Sequence, residues 1–340
     1  MKRPPILEGV KKILFYGDSL TDGSSYPDYV VNTLNRLFPD AGFVLMNSAM
    51  CGNTAADLLK RLKDDVLDRK PDLVSICIGT NDRWTNRDIA PYAADMEALA
   101  TNLLSAGIKV MLIKPSPLGN PDQETKFQEN LAVIQQVADR HKLLVADAHQ
   151  VFLDGAKAGK EMLGADGVHH GKDGFEGMAR AVLDALGFRG VEMDKVIKPW
   201  PGLLTSWESS DPVPLDGTYD LDEATGWKPY NGVALSKRQP WWNSPFSARG
   251  GFMPFDDVNP KQAAYGRTVY DAVEAGDCDL LIGGSPNPMV VWLNGKQVWR
   301  ATKPHGYHPD GDRIAVRMEK GRNEIVGVSN FMLFVGVAKR

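Results

Sequence analysis

The segment Gly17-Asp18-Ser19-Leu20-Thr21-Asp22-Gly23 places a serine among glycines and carboxylates. A serine hydroxyl alone is a weak nucleophile. It needs a base to take its proton and donors to receive the oxyanion it creates. A base is offered by Asp166-Gly167-Val168-His169. Among the six histidines, His169 has a carboxylate three residues ahead of it in a glycine-containing loop. In an Asp-x-x-His loop the carboxylate can hold Nδ1 and leave Nε2 free for a serine. His170 either competes for this role or is a solvated neighbour. Two further stretches offer oxyanion donors. In Gly79-Thr80-Asn81-Asp82 the Asn81 amide can donate; in Cys51-Gly52-Asn53-Thr54 the Gly52 backbone N–H can. Each of the four stretches alone also reads as a turn or a helix cap. Together they call for a scaffold that gathers them.

The first half of the chain supplies a candidate scaffold. Apolar runs at Lys12–Tyr16, Gly42–Met46, Leu73–Ile78, Lys109–Ile113 and Leu143–Ala146 read as five strands. Helical patterns lie between and after them: Tyr29–Phe38, a helix beginning at Thr54, Ile89–Ser105, Thr125–His141 and Phe175–Ala185. Buried strands alternating with helices of 10–15 residues predict a parallel sheet covered on both faces. In such a sheet, ligands bind outside the carboxyl ends of the strands. Ser19, Gly52 and Asn81 each fall just after a strand.

From residue 188 the chain changes character. Seven of the eight tryptophans lie beyond residue 190, and Trp84 lies before it. Residues 189–262 are rich in proline and aromatics and poor in period. Short strands follow at Tyr265–Ala272, Cys278–Ile282 and Met289–Leu293. Asn294-Gly295 then signals a type I′ hairpin into Lys296–Trp299. Arg313–Met318, a turn at Lys320–Asn323, Glu324–Val328 and Phe331–Val337 complete an all-β pattern of sandwich type. The reading is therefore two domains, 1–188 and 189–340. The tryptophans read as core, with stacking on sugar rings as the alternative. One of the adjacent Trp241 and Trp242 should face outward, because neighbours on a strand point opposite ways. Asp310-Gly311-Asp312 reads as a turn ahead of a calcium site.

The four stretches, in this order over residues 11–187, resemble the SGNH/GDSL superfamily of serine esterases and lipases. Its G-D-S-L block is matched at Ser19, its oxyanion glycine at Gly52, its G-x-N-D asparagine at Asn81 and its D-x-x-H at Asp166 and His169. The resemblance implies a flavodoxin-like three-layer fold. It also implies a Ser19–His169–Asp166 triad, an oxyanion hole from Ser19, Gly52 and Asn81, and an acyl-enzyme. Asp18, Asp82, His170 and Trp84 border these positions and are expected as substrate contacts. The G-x-S-x-G elbow of the α/β-hydrolases is absent. Val291–Val298 and Lys320–Ile325 resemble galactose-binding-like jelly-roll modules, which points to acetyl or short acyl esters of carbohydrates. A general short-chain esterase, lysophospholipase or thioesterase is the alternative within enzymes. A catalytically silent carbohydrate-binding protein is the alternative outside them.

Composition excludes other classes. Of 340 residues, 43% are hydrophobic and 24% charged, an ordinary globular balance. A formal charge of −4 without blocks of like charge argues against a nucleic-acid partner or a polybasic anchor. No apolar run reaches the ~18 residues of a membrane span. Three widely spaced cysteines are read as free thiols rather than a disulfide framework. The positively charged start lacks an apolar run behind it, so the chain as written reads as cytoplasmic; a trimmed chain would be secreted or periplasmic. No cofactor is expected, and no metal. Asp166, His169, His170 and Asp173 have ligand chemistry, but a triad explains the same spacing. The partner expected is a small-molecule or carbohydrate ester, and the oligomeric state is left open.

Overall fold

A computed structural model describes residues 2–197, 199–200, 202–215, 217–230, 250–255, 259–284, 289–302, 306 and 308–340. The chain divides into two compact units, Met1–Val196 and Ile197–Arg340.

The first unit is built on five parallel strands: β1 (Lys12–Gly17), β2 (Val44–Asn47), β3 (Leu73–Cys77), β4 (Lys109–Lys114) and β5 (Leu144–Asp147), ordered β2-β1-β3-β4-β5. Eight α-helices cover it: α1 (Ser19–Asp22), α2 (Tyr26–Leu37), α3 (Ala55–Leu62), α4 (Thr80–Trp84), α5 (Ile89–Ser105), α6 (Pro121–His141), α7 (Ala148–Lys157) and α8 (Gly174–Ala185). The period of two along the strands divides the core. Ile13 and Phe15 of β1, with Leu73 and Cys77 of β3, pack with Val30, Leu34, Phe152, Met178 and Val182 on one face. Leu14 and Tyr16, with Val74 and Ile76, pack with Leu58, Leu99, Leu103, Phe127 and Ile134 on the other. Side chains alternating across a strand make both faces apolar, so the sheet needs helices on both sides. The observed layers are the flavodoxin-like arrangement the resemblance implies.

The helices depart from the sequence reading at their starts. α2 begins at Tyr26 and α6 at Pro121, several residues before the apolar period is evident. Each carries a proline at its first or second position, where the missing N–H costs nothing. Asn120 caps α6 by accepting from the backbone N–H groups of Asp122 and Gln123. The helix α7 was not anticipated. It starts directly at the end of β5, with Asp147 accepting from Gln150 N–H, so no loop signal separates the two elements. After α8 the chain runs across α2: Asp194 N–H donates to Thr33, and Val191 and Met193 pack on the first core cluster.

The second unit is antiparallel. It contains β6 (Glu208–Ser209), β7 (Val213–Pro214), β8 (Lys228–Pro229), β9 (Gln262–Ala272), β10 (Gly276–Gly284), β11 (Val290–Leu293), β12 (Lys296–Arg300), β13 (Asp312–Met318), β14 (Gly321–Ser329) and β15 (Leu333–Lys339). One sheet is β13-β10-β15. The other is β12-β11-β14-β9-β6-β8, with β7 also on β9. Two antiparallel sheets match a β-sandwich. Asn294 and Gly295 have φ of 50° and 79°, the left-handed pair a type I′ turn requires. The turn expected at Lys320–Asn323 is tighter, because β14 already begins at Gly321. It carries the chain from one sheet to the other rather than closing a hairpin, since β13 pairs with β10 and β14 with β9 and β11. Trp207 and Trp292 are buried, Trp207 against Phe252 and Trp292 against Tyr265, as core residues. Trp241 and Trp242 lie outside the described residues. No described helix is long and apolar enough to cross a membrane.

Candidate active site

In a 2-1-3-4-5 sheet the strand order reverses between β1 and β3, and the loops leaving those strands part there to form a crevice. β1 delivers Ser19 to this point. Asp18 caps the short helix α1: its Oδ1 accepts from Leu20 N–H at 3.0 Å, and its carbonyl accepts from Thr21 and Asp22. Ser19 is therefore the first residue of a helical turn, with its hydroxyl beyond the strand end.

The loop before α8 brings His169 to it. His169 Nε2 lies 2.9 Å from Ser19 Oγ, and His169 Nδ1 lies 2.7 Å from Asp166 Oδ2. Asp166 Oδ1 accepts from the backbone N–H groups of Val168 and His169, both at 3.0 Å. Partial burial pushes the Asp166 carboxyl up. The Val168 N–H, the His169 ring and the His169 N–H outweigh it and hold the group below the usual carboxylate range. The loop is closed on itself by Gly164 N–H to His169 O and Gly167 N–H to Gly164 O. The three residues separated by up to 150 positions thus form one hydrogen-bonded line, with His169 and Asp166 side chains 49% and 46% exposed. A base aligned in this way can take the serine proton while the carboxylate keeps the ring in the required tautomer.

Three candidate donors, the N–H groups of Ser19 and Gly52 and the Asn81 amide, lie on segments that follow the carboxyl ends of β1, β2 and β3. Among the described residues, the backbone N–H groups of Ser19 and Gly52 donate to no partner. Gly52 has φ of 77° with open space where a Cβ would stand. Only its backbone conformation, and no crowding, demands glycine there. Asn81, on α4, donates from Nδ2 to Asn53 O at 2.9 Å and makes a long 3.4 Å contact to Asp18 Oδ2. Both contacts of the Asn81 amide therefore go to protein acceptors, the second only weakly.

Three of the expected substrate contacts prove to be internal. Asp18 is fully buried under Asn81. Burial, helped by the nearby Asp82 and Asp22 charges, raises its pKa to about 7 despite the Leu20 N–H. Asp82 is also fully buried. It accepts from Ala55 N–H at 3.0 Å and from Arg87 at 2.8 Å, tying α4 to the start of α3. Burial raises its pKa, against the pull of Arg87 and Ala55 N–H. Neither carboxylate reaches a ligand, because each is consumed in joining elements. His170 neither competes with His169 nor is solvated. It is buried between the rings of Phe152 and Phe175, and burial, with the neighbouring His169, lowers its pKa to about 3. Asp173, the remaining member of the metal-like set, accepts from Glu161 N–H. Trp84 alone of these contacts is open to solvent, 54% exposed, one helical turn beyond Asn81.

Asn53 and Arg61 belong to the site's frame and were missed. Arg61 Nε donates to Asn53 Oδ1 at 2.7 Å, and its guanidinium lies over the Tyr16 ring while donating to the carbonyls of Ser48 and Gly17. It thereby links the ends of β1 and β2 to the segment that holds Asn81. Its only local signal is the i,i+4 pairing with Asp65.

Residues 15–176 match the GDSL-like Lipase/Acylhydrolase family. An acetylxylan esterase of Geobacillus stearothermophilus is 30% identical over 210 residues, 53% of this chain and 96% of that protein. The chain belongs to the GDSL-like lipase/acylhydrolase family. The crystal structure of an acetylxylan esterase from the same organism superposes with a TM-score of 0.50 at 30% identity, over 54% of this chain and 96% of that one. A catalytic mutant of that esterase gives the same TM-score and coverage. As a GDSL-like acylhydrolase the chain is a carboxylic ester hydrolase, with its family residues in the first unit.

Proposed function

We propose that this acylhydrolase removes acetyl or other short acyl groups from carbohydrate esters through an acyl-enzyme on Ser19. The observation that carries the reading is the continuous line Ser19 Oγ–His169 Nε2–His169 Nδ1–Asp166 Oδ2, at 2.9 and 2.7 Å. In the first step Ser19 Oγ attacks the ester carbonyl and His169 takes its proton. Asp166 stabilises the imidazolium. The N–H groups of Ser19 and Gly52 and the Asn81 amide receive the oxyanion; loss of one such donor costs roughly 10²–10³ in kcat. His169 then protonates the departing alcohol. Water, deprotonated by the same ring, releases the acid and restores Ser19.

Two observations bear on the alcohol. The similar protein is an acetylxylan esterase. The His169 and Asp166 side chains are also half-exposed, which is compatible with a bulky polar ester. The test compares p-nitrophenyl acetate with the octanoate, then acetylated xylan and acetylated monosaccharides, with Ser19→Ala as control. We expect acetate to exceed octanoate and acetyl release from xylan to depend on Ser19. Preference for octanoate would favour a lipid or general esterase instead.

A further inference from the structure

The base-bearing loop is braced from outside by residues that the triad does not use. Gly119 N–H donates to Gly167 O at 2.7 Å, one residue after Asp166 and two before His169. The two glycines touch through bare backbone: a Cβ on Gly119 would stand 2.8 Å from Gly167 Cα. Leu118 is buried in the second core cluster, and Val168 packs against that cluster. The segment Leu118-Gly119 is thus a wall against which the loop is seated.

That wall is itself pinned. Glu124, in the first turn of α6, accepts from Leu118 N–H through Oε2 at 2.8 Å. Its Oε1 accepts from His149 Nε2 at 2.7 Å and from Gln128 Nε2 at 2.5 Å. His149 is buried in the first turn of α7, a helix of the opposite layer. Partial burial raises the Glu124 carboxyl, but His149, Leu118 N–H and Gln128 together hold it below its usual range. One carboxylate therefore joins both helical layers to the loop wall, and every contact is fixed by a charge-assisted hydrogen bond.

We propose that Glu124, oriented by His149, is a positioning residue for His169, acting through Leu118-Gly119 and Gly167. This rests on the reading of Ser19 and His169 as nucleophile and base. Displacing a base by an ångström can cost up to roughly 100-fold in rate without changing substrate affinity.

The experiment measures kcat and KM for p-nitrophenyl acetate, together with the rate of Ser19 labelling by a fluorophosphonate probe, per folded molecule. The full chain is used as wild type, Glu124→Ala, Glu124→Gln, His149→Ala and Gly119→Ala. We expect Glu124→Ala and Gly119→Ala to lower kcat and the labelling rate together, roughly 10- to 100-fold, with KM little changed. Glu124→Gln, which keeps an oxygen for Leu118 N–H, should lose less, and His149→Ala should fall between them. Combining Glu124→Ala with Gly119→Ala should add little, because both act at one contact. Folded Glu124→Ala with wild-type kcat would overturn the proposal. So would a loss explained wholly by fewer titratable sites, each turning over normally. If Glu124→Ala does not fold, the same criteria apply to Glu124→Gln and His149→Ala. A wild type that neither turns over nor labels would instead refute the reading of Ser19 and His169.

Discussion

At the scale of residues, the site separates groups that face the crevice from groups that hold those in place. Asp18 is of the second kind, and its cost has a pH signature. An aspartate in the unfolded chain titrates near ~3.9, whereas Asp18 in the fold titrates at about 7. Between these values the folded state holds a proton that the unfolded state has released, so stability falls as pH rises from about 4 to about 7. Asp18→Asn removes the titration. Urea unfolding at pH 5 and pH 8 should show the wild type losing on the order of a few kcal/mol across that window relative to the variant. Parallel curves at both pH values would show that Asp18 is not held protonated. The variant also places a donor against the Asn81 amide, so kcat should fall even where stability improves. The candidate serine, histidine and carboxylate could be picked out in sequence by their types and the Asp-x-x-His spacing, and the fold brings them into one hydrogen-bonded line. The burial of Asp18, Asp82 and His170 was not. A carboxylate beside a nucleophile looks the same on paper whether it meets substrate or a backbone N–H on another helix.

At the scale of elements, strand ends do the gathering, and helix starts fix the geometry. The start of α3 is a full capping box: Thr54 Oγ1 accepts from Asp57 N–H, and Asp57 accepts from Thr54 N–H. It fixes the chain just after Gly52, the proposed oxyanion donor, and Asn53, whose carbonyl accepts from the Asn81 amide. Partial burial raises the Asp57 carboxyl, but the Thr54 hydroxyl and N–H and the Lys60 ammonium outweigh it and hold it below its usual range. Thr54→Ala should cost about 1 kcal/mol in urea unfolding and lower kcat more than it changes KM. Unchanged stability would mean that the box does not hold the helix start. The cap was readable as Thr54 ahead of an apolar period, and the five strands as apolar runs ending in glycine or polar turns. The helix α7 and the roles of Arg61 and Glu124 were not readable. α7 follows β5 without a loop, and the contacts of Arg61 with Gly17 and of His149 with Glu124 join residues far apart in sequence with no periodic trace.

At the scale of the molecule, one unit holds the site and the other adds an antiparallel module. Residues 2–196 contain two core clusters on either face of their own sheet. A chain of residues 1–196 should therefore fold alone and keep p-nitrophenyl acetate turnover within a few-fold of the full chain. If the second unit guides a polymeric substrate, acetyl release from acetylated xylan should drop more than turnover of the small ester. Equal rates on both substrates would assign the β-rich unit to scaffolding. The change of composition near residue 188 made two units legible. What the second one recognises was not: Trp207 and Trp292 are core residues, as their sequence reading has it, and a core residue carries no information about a ligand. The covalent step at Ser19 is the most direct point of test. Intact-mass analysis and peptide mapping after fluorophosphonate treatment should show one adduct, on Ser19, absent in Ser19→Ala and slowed in His169→Ala. An adduct on another residue, or turnover retained by Ser19→Ala, would contradict it.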